Sequence, residues 1–329
     1  MGSRSTVERG TPGQAAYGLR PAAVPFPGAD SLSDLDCLSA AFAVIGVPYG
    51  SPYRMELVHS GAADAPRLFR ERAAARFGAH AERWDFDLEG TLFGTTGLAM
   101  ADVGDMTGDP RDLAGNAAAA VAAMRVIVER GAVPVVLGGD DSVPILCARA
   151  FAAEEPVINV LHVDAHIDFR DEVDGIRDGY SSPIRRMSEM PWVGQIVQVG
   201  MRGTGSARPE DVEAALAAGN TIVPAARVHR DGIGVVTEAM RSDLPWFVSL
   251  DVDGLDPTIA PGTSCPLPGG LDFREASALF TAVGRDFEFA GIDVVEHFPG
   301  LDVGGTTSLT LSRLLTVLIG HAARRRALR

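Results

Sequence analysis

Two short clusters of residues that could bind a metal each follow an apolar run. In "VLHVDAHIDFR" the residues Asp164, His166 and Asp168 stand two apart, and in "WFVSLDVDG" Asp251 and Asp253 have the same spacing. While a backbone stays extended, a period of two directs such side chains to one side of the chain. Carboxylates and an imidazole that converge in this way form a typical set of metal ligands.

A third cluster, "LGGDDSV", places Asp140 and Asp141 behind two glycines at the end of another apolar run. Two carboxylates in a poorly solvated position indicate that something positive binds there, because each uncompensated buried charge costs several kcal/mol. We therefore predict that Asp141 joins the first two clusters.

The predicted ligand set is five carboxylates and one imidazole. Such a set suits Mn²⁺ better than zinc, which favours sulfur and imidazole. A single aspartate at a strand end is more often a helix cap or a turn residue. Three such clusters after core strands favour a divalent metal site instead, and two ions would neutralise the carboxylates better than one.

The elements that must position these clusters are apolar runs with the composition of buried parallel strands, covered on both faces. The runs span residues 41–48, 97–105, 132–139, 156–164, 194–201, 220–225, 246–253 and 289–296. In open α/β sheets functional groups gather outside the carboxyl ends of the strands, and the acidic clusters stand at such ends.

Helical patterns alternate with these runs and span residues 109–131, 208–219, 272–284 and 307–326. The alternation predicts an α/β fold with a parallel sheet and helices on both of its sides. We expect one domain over residues 39–329. Residues 1–38, rich in Gly, Pro, Ala and Ser, are predicted to form an irregular arm that could pack on a neighbouring subunit.

Composition excludes several classes of protein. The 329 residues carry a net charge of −14 and no lysine, and an acidic chain without a basic stripe argues against nucleic-acid binding. No apolar stretch approaches the roughly 18 residues that span a bilayer. Cys37, Cys147 and Cys265 form no CxxC pattern, so we expect no disulfide framework and a cytoplasmic location.

Several motifs resemble those of the ureohydrolase family: arginases, agmatinases and related guanidino-group hydrolases. "HVDAHID" resembles the family's DAHxD motif, "SLDVDGLDPTIAPGTSCPLPGG" its DxDxxDPxxAPGTGTPxPGG segment, and "GIDVVEHFP" its DxVEvsP strand. "LGGDDS" resembles its GGDHS motif with one change. The resemblance extends from about residue 41 to the C-terminus and is closest to the agmatinase-like branch.

The resemblance implies a three-layer α/β/α sandwich with a central, mainly parallel sheet and two Mn²⁺ ions per chain. It also implies a homo-oligomer, a trimer or a hexamer. One ion would be held by Asp141, Asp164, Asp168 and Asp251. The other would be held by Asp164, His166, Asp251 and Asp253.

The implied reaction is hydrolysis of a small cationic guanidino compound to urea and an amine, by metal-bound hydroxide that attacks the guanidinium carbon. Two cations that flank one water lower its pKa toward neutrality. Glu296 matches the acidic residue that holds the substrate guanidinium. The alternative for Glu296 is an ordinary glutamate at a strand end.

Asp141 stands where the family motif has histidine, so the chain departs from the family at a ligand position. An aspartate oxygen lies two bonds beyond Cβ, like the imidazole nitrogen nearer the backbone, so its reach is comparable. A fifth carboxylate leaves one negative charge in excess over two dications, and activity should then require a higher pH. We assign Asp140 to structure, with hydrogen bonds to the loop backbone.

The proton carrier is less clear from the sequence. Agmatinase-like enzymes commonly have a His-Gly-Thr element in the region of residues 170–187, whereas this chain has Asp178 there. Asp178 could replace the carrier or be a surface carboxylate. His297 could act as the acid/base or be a core histidine. Cys265 has no cationic partner recognisable in the sequence, which disfavours a nucleophilic thiol.

The sequence leaves the substrate open among arginine, agmatine, 4-guanidinobutanoate, guanidine and guanidinylated natural products. Specificity is expected in the loops 170–190 and 202–207. Arg177, Arg185 and Arg186 could meet a substrate carboxylate or be solvated. Two other functions stay open: an amide or formamide hydrolase of the same fold, and a non-catalytic homologue with a degenerate metal site.

Overall fold

The computed structural model describes residues 17–54, 61–78, 80–109, 111–204 and 207–329. Its centre is a sheet of ten strands. The strands are β1 (Leu19–Arg20), β2 (Ala29–Ser31), β3 (Phe42–Val47), β4 (Met100–Met106), β5 (Val133–Gly138), β6 (Ile158–Val163), β7 (Val193–Val199), β8 (Thr221–Val223), β9 (Trp246–Asp251) and β10 (Phe289–Val295).

The α-helices of the described residues connect these strands. They are α1 (Ala65–Phe77), α2 (Leu113–Glu129), α3 (Val143–Arg149), α4 (Pro183–Ser188), α5 (Pro209–Ala217), α6 (Ala225–Asp231), α7 (Gly234–Thr237), α8 (Phe273–Asp286) and α9 (Thr306–Arg326). At the start of α8, the Asp272 carboxylate accepts from the Glu275 backbone N–H, and the Glu275 carboxylate accepts from the Asp272 backbone N–H. This reciprocal pair of hydrogen bonds favours a helix that begins there.

The main sheet path runs β1-β4-β3-β5-β10-β9-β6-β7-β8, and β2 pairs with β4. All pairings are parallel except that of β1 with β4. The non-sequential order requires crossovers through helices, which is why strands and helices alternate along the chain. All eight predicted strands are present, each within a few residues of its predicted bounds.

Helices cover both faces of the sheet, because successive strand side chains point to opposite sides. Phe42 and Val44 of β3 pack into a core that includes residues of α1, α8 and α9. Ala43 and Ile45 of the same strand pack into the opposite core with α2 and α3. The predicted three-layer α/β/α sandwich is confirmed.

The four central strands β5, β10, β9 and β6 are neighbours, and they are the strands that the predicted site residues follow. Parallel pairing brings their carboxyl ends to one edge: Val295 of β10 lies opposite Asp251 of β9, and Leu250 lies opposite Val163 of β6. The fold therefore delivers the three acidic clusters and Glu296 to the same place.

Residues 17–38 correct part of the prediction of an irregular N-terminal arm. Leu19–Arg20 and Ala29–Ser31 form strands on β4, and the Phe26 backbone N–H donates to the buried Asp102 at 2.8 Å. Strands of two and three residues are too short to show periodicity, so the sequence did not reveal them. Residues 1–16 of the predicted arm lie outside the described part of the chain.

Among the described residues, one helical segment, Val303–Arg326, which includes α9, is long and apolar enough to cross a membrane by length and composition alone. Leu311, Leu314 and Leu318 of this helix are fully buried in the core between the sheet and α8. Its apolar character is thus explained by packing inside the sandwich.

Candidate metal and substrate site

The loop after β6 carries Asp164, His166 and Asp168 and places them at the carboxyl edge of the sheet. The His166 backbone N–H donates to Asp164 Oδ1 at 2.6 Å, and His166 Nδ1 lies 3.2 Å from Asp253 Oδ2. Hydrogen bonding to Asp164 and Asp253 raises the pKa of His166 to about 11. Asp168 has φ of +41°, a strained conformation for a residue with a side chain and one often retained at functional sites.

The end of β9 is held against this loop by backbone contacts. Asp253 donates its N–H to Asp251 Oδ1 at 2.7 Å and accepts from the Ala165 N–H at 3.1 Å. A Cβ on Gly254 would lie 2.7 Å from the Asp164 backbone nitrogen, so only glycine allows this approach. The two clusters predicted from the sequence thus meet in the structure.

Asp140 and Asp141, which follow β5, have different surroundings. Asp140 Oδ1 accepts from the Ser142 backbone N–H at 2.9 Å and from the Ser142 hydroxyl at 2.6 Å. Both carboxylate oxygens of Asp141 are buried and have no hydrogen-bond partner among the described residues. Asp140 therefore has the structural contacts expected of it, whereas Asp141 presents two free oxygens.

Two compact groups of potential metal ligands share Asp164. Within each group the potential ligand atoms all lie within 4.8 Å of one another. The first group is Asp141, His162, Asp164 and Asp168, and the second is Asp164, His166 and Asp253. Asp251 belongs to neither group but lines the same cleft. The unpaired oxygens and the oxygen-rich donor set fit divalent metal ions.

Burial makes this cluster unfavourable as a set of bare anions. It raises the pKa of Asp141, Asp168 and Asp251 well above the usual range, and neighbouring carboxylates raise it further. Asp164 differs, because its contacts with His162 outweigh the effect of burial and bring its pKa well below the usual range. Bound cations would remove the repulsion and favour the ionised forms.

His162 faces the first group although the sequence prediction did not include it. Its Nε2 lies 2.9 Å from Asp164 Oδ2 and 3.7 Å from Asp168 Oδ2, although the N–H direction is poor for a hydrogen bond. Gln198 Nε2 donates to the Ile167 carbonyl at 2.9 Å and lies 3.2 Å from His162 Nδ1. Because a carbonyl only accepts hydrogen bonds, the Gln198 atom that contacts Ile167 is the amide nitrogen, which is a donor. His162 Nδ1 must therefore accept from this nitrogen, and the imidazole proton lies on Nε2. In this tautomer His162 cannot be a metal ligand.

Glu296 lies beside the carboxylate cluster at the end of β10. Its φ is +57°, its Oε1 accepts from the Asp141 backbone N–H at 2.9 Å, and its Oε2 lies 3.4 Å from the Ser264 hydroxyl. Burial and the nearby Asp140 raise the pKa of Glu296 to about 8. The position suits a carboxylate that meets a cationic ligand.

A cleft of about 340 Å³ opens over these residues. Its lining comprises Pro52, Asp140, Asp141, His166, Asp168, Tyr180, Ser181, Asp251, Asp253, Ser264, Cys265, Glu296 and Phe298. All predicted metal ligands except the fully buried Asp164 therefore reach the cleft wall. The volume admits a small molecule.

Asp178 and His297 are not among the residues that line this cleft, which favours the alternatives of a surface carboxylate and a core histidine over a catalytic role. Asp178 is paired with Arg149 at 2.7 Å. His297 is 1% exposed and packs edge-on against Phe69, with Nε2 3.7 Å from Asp302. His297 thus enters the core, although the adjacent Glu296 lines the cleft.

Sequence reasoning missed His162 and the residues of the outer cleft. The period of two that joins Asp164, His166 and Asp168 extends back to His162, and that spacing could have identified it. Tyr180 and Phe298 had no such signal, since they reach the cleft through loop geometry. The loop 202–207 is described only in part, because residues 205 and 206 lie outside the described range.

Comparisons with known proteins agree with this architecture. Proclavaminate amidinohydrolase of Streptomyces clavuligerus is 31% identical over 290 residues, which cover 85% of this chain and 88% of that protein. Mitochondrial agmatinase of Gallus gallus is 32% identical over 256 residues, which cover 74% of each. The solved structure of the Streptomyces clavuligerus enzyme matches with a TM-score of 0.79 and 29% identity, covering 94% of this chain and 98% of that one.

The predicted hydrolase class is confirmed by these relatives. A family profile matches residues 40–320, almost the whole length over which the motifs were found. The chain therefore belongs to the arginase family.

Proposed function

We propose that the protein hydrolyses a small guanidino compound to urea and an amine, with two Mn²⁺ ions as cofactors. The observation that carries the proposal is the pair of ligand groups that share Asp164, beside a carboxylate suited to a guanidinium. Relatives named as an amidinohydrolase and an agmatinase support this substrate class.

The residues that would hold the ions are those predicted from the sequence. Asp141, Asp164, Asp168 and Asp251 would hold one, and Asp164, His166, Asp251 and Asp253 the other. When bound, two divalent cations supply a water with a lowered pKa and hence a nucleophile at neutral pH.

Glu296 would bind the guanidinium by charge-assisted hydrogen bonds, which are strong for this planar cation. Its Oε1 is already oriented by the Asp141 N–H and its Oε2 faces Ser264, so the carboxylate is fixed before substrate arrives. Fixing the guanidinium carbon beside the carboxylate cluster lowers the entropic barrier to attack by water.

Cleavage of the C–N bond requires a proton on the leaving nitrogen. Asp178 and His297 lie outside the cleft, so neither can donate it directly. We propose that the attacking water supplies this proton.

Urea release by the Mn²⁺-loaded protein tests the proposal. The panel should contain several guanidino compounds and, for the amide-hydrolase alternative, matched amides and formamides. We expect urea from at least one guanidino compound and no turnover of amides. Release of carboxylate from amides without urea would contradict the proposal.

Glu296→Gln tests the substrate-binding role. It should lower kcat/KM at least ~100-fold, because the charge-assisted contact is lost while the shape is kept. Glu213→Gln is the matched control, since Glu213 is exposed on α5. Equal effects of the two changes would contradict the role of Glu296.

A further inference from the structure

The cleft has a buried inner part and an open outer part. Asp141, Asp251 and Asp253 of the inner part are each 3% exposed. Ser264 and Cys265 of the outer part are exposed, and Tyr180 and Phe298 are half-buried. A guanidinium held by Glu296 therefore directs the rest of its molecule outward, past the aromatic and small side chains of the mouth.

The outer wall contains Tyr180, which packs against Tyr53, a residue outside the lining. The rings of Tyr53 and Tyr180 lie with centroids 4.4 Å apart at 52°. The Tyr53 hydroxyl accepts from the Ser181 backbone N–H at 2.9 Å, and the ring packs so close to Gly179 that no Cβ would fit there. These contacts fix the loop that carries Tyr180, so the aromatic wall is a preformed feature.

The arginines before and after Tyr180 are engaged elsewhere. Arg186 binds Asp171 at 2.7 Å, Arg185 binds Glu189 at 2.8 Å, and Arg177 binds Asp171 at 3.1 Å. None of the three lines the cleft. The sequence-based option that they meet a substrate carboxylate is therefore not supported by their positions.

Three further arginines are also absent from the cleft lining. Arg149 pairs with Asp178 at 2.7 Å. Arg202 donates to backbone carbonyl groups, among them that of Asp253 at 2.6 Å. Arg54 is exposed and is not part of the lining. Over the described residues, the cleft wall thus presents carboxylates, hydroxyls, a thiol and aromatic rings, with His166 as its one basic side chain.

From this wall we infer that the substrate carries an uncharged or cationic tail and no carboxylate. The inference rests on the proposed function and narrows its substrate class. A carboxylate tail would lose hydration beside acidic side chains without gaining a cationic partner. An ammonium tail can instead lie against the face of Tyr180, whose ring packs on Tyr53, and an alkyl tail can bury apolar surface there.

Three guanidino compounds that differ only at the far end of a tetramethylene chain test the inference. They are agmatine, which ends in ammonium, pentylguanidine, which ends in methyl, and 5-guanidinopentanoate, which ends in carboxylate. We expect kcat/KM for the first two to exceed that for the carboxylate at least ~10-fold, a modest share of the discrimination that an unpaired charge can impose.

Substitution of Tyr180 in the cleft wall provides the second part of the test. Tyr180→Arg adds a cation at the mouth and should improve the carboxylate relative to agmatine at least ~10-fold. Tyr180→Phe keeps the ring and should preserve the order of the three tails. An unchanged ratio of kcat/KM between the carboxylate and agmatine in Tyr180→Arg would show that the tail does not pass this wall.

The outcomes separate this inference from the proposed function. Urea production with the carboxylate preferred would overturn the inference and leave guanidino hydrolysis intact. Absence of urea from all guanidino compounds would overturn the proposed function. In that case, calorimetric binding of the three compounds to the Mn²⁺-loaded protein decides the tail preference, and tighter binding of the carboxylate would overturn the inference.

Discussion

The backbone N–H of Asp141 donates to Glu296 Oε1 at 2.9 Å, so the acidic loop after β5 and the glutamate at the end of β10 are joined directly. The donor belongs to the main chain, whereas the Asp141 side chain turns both of its oxygens into the buried cluster. Asp141 thus orients Glu296, the carboxylate proposed to bind the substrate, through its backbone, and it offers metal ligands through its side chain.

The separate roles of the Asp141 backbone and side chain predict the effect of Asp141→Ala. The variant keeps the N–H to Glu296 and loses the two oxygens, so Mn²⁺ affinity should fall at least ~10-fold. Chelator competition and metal analysis of the purified protein measure this. Asp178→Asn, a change in a paired aspartate outside the cleft, is the control and should keep the parent affinity. Parent-like metal binding by Asp141→Ala would remove residue 141 from the ligand set.

His162 is expected to position Asp164 without binding metal. Its Nε2–H lies against Asp164 Oδ2, the oxygen that is not occupied by the His166 backbone N–H. His162→Leu removes this polar contact with Asp164 and should weaken Mn²⁺ binding by ~10–100-fold, the range seen when groups behind metal ligands are removed. His162→Gln can again present an N–H and should recover part of the affinity. Equal losses in the two variants would indicate packing alone.

The sequence predicted much of this arrangement because the relevant signals are local. A near-continuous apolar run followed by Asp164-x-His166-x-Asp168 marks a buried strand and its carboxyl end at once. Parallel strands share one carboxyl edge, so clusters that follow such strands gather there; the neighbouring placement of β5, β10, β9 and β6, which brings them into contact, is a finding of the structure.

The unpredicted features depend on contacts distant in sequence. Whether Asp178 faces the cleft is decided by its pairing with Arg149, and whether Tyr180 does is decided by Tyr53, which lies far away in the chain. His297 is adjacent to Glu296 in the sequence, but its burial depends on Phe69, which α1 brings against it by packing on the sheet. No spacing rule encodes such pairings.

His297→Leu should affect stability and not chemistry. The side chain is buried, its pKa is lowered by burial, and its Nδ1 has no partner. We expect a loss of ~1–2 kcal/mol in the free energy of unfolding, typical of a changed buried polar contact. The kcat value should stay within a few-fold of the parent. A fall of ~100-fold or more in kcat would restore His297 as the general acid.

From the burial of Asp293 we predict that the free energy of unfolding depends on pH, independently of the metal site. Burial between β9, β10 and α3 raises its pKa to about 8, and its Oδ1 accepts from the Ser249 hydroxyl at 3.0 Å. The unfolded chain releases this proton near pH ~4. Between these values the folded state holds a proton that the unfolded state has lost, so this group's contribution to stability falls as pH rises.

Asp293→Asn cannot ionise and should flatten that slope. Denaturant titrations of the Mn²⁺-loaded protein at several pH values between 5 and 8 measure the difference from the parent, which can reach about 1.4 kcal/mol per pH unit for one proton. A constant offset from the lost carboxyl group does not alter the comparison, since only slopes are compared. Asp30→Asn, at an exposed position of β2, is the matched control and should keep the parent slope. If Asp293→Asn keeps that slope as well, Asp293 is ionised in the folded protein at neutral pH, and the hydrogen bond from Ser249 together with the Cys147 thiol must then compensate a buried charge.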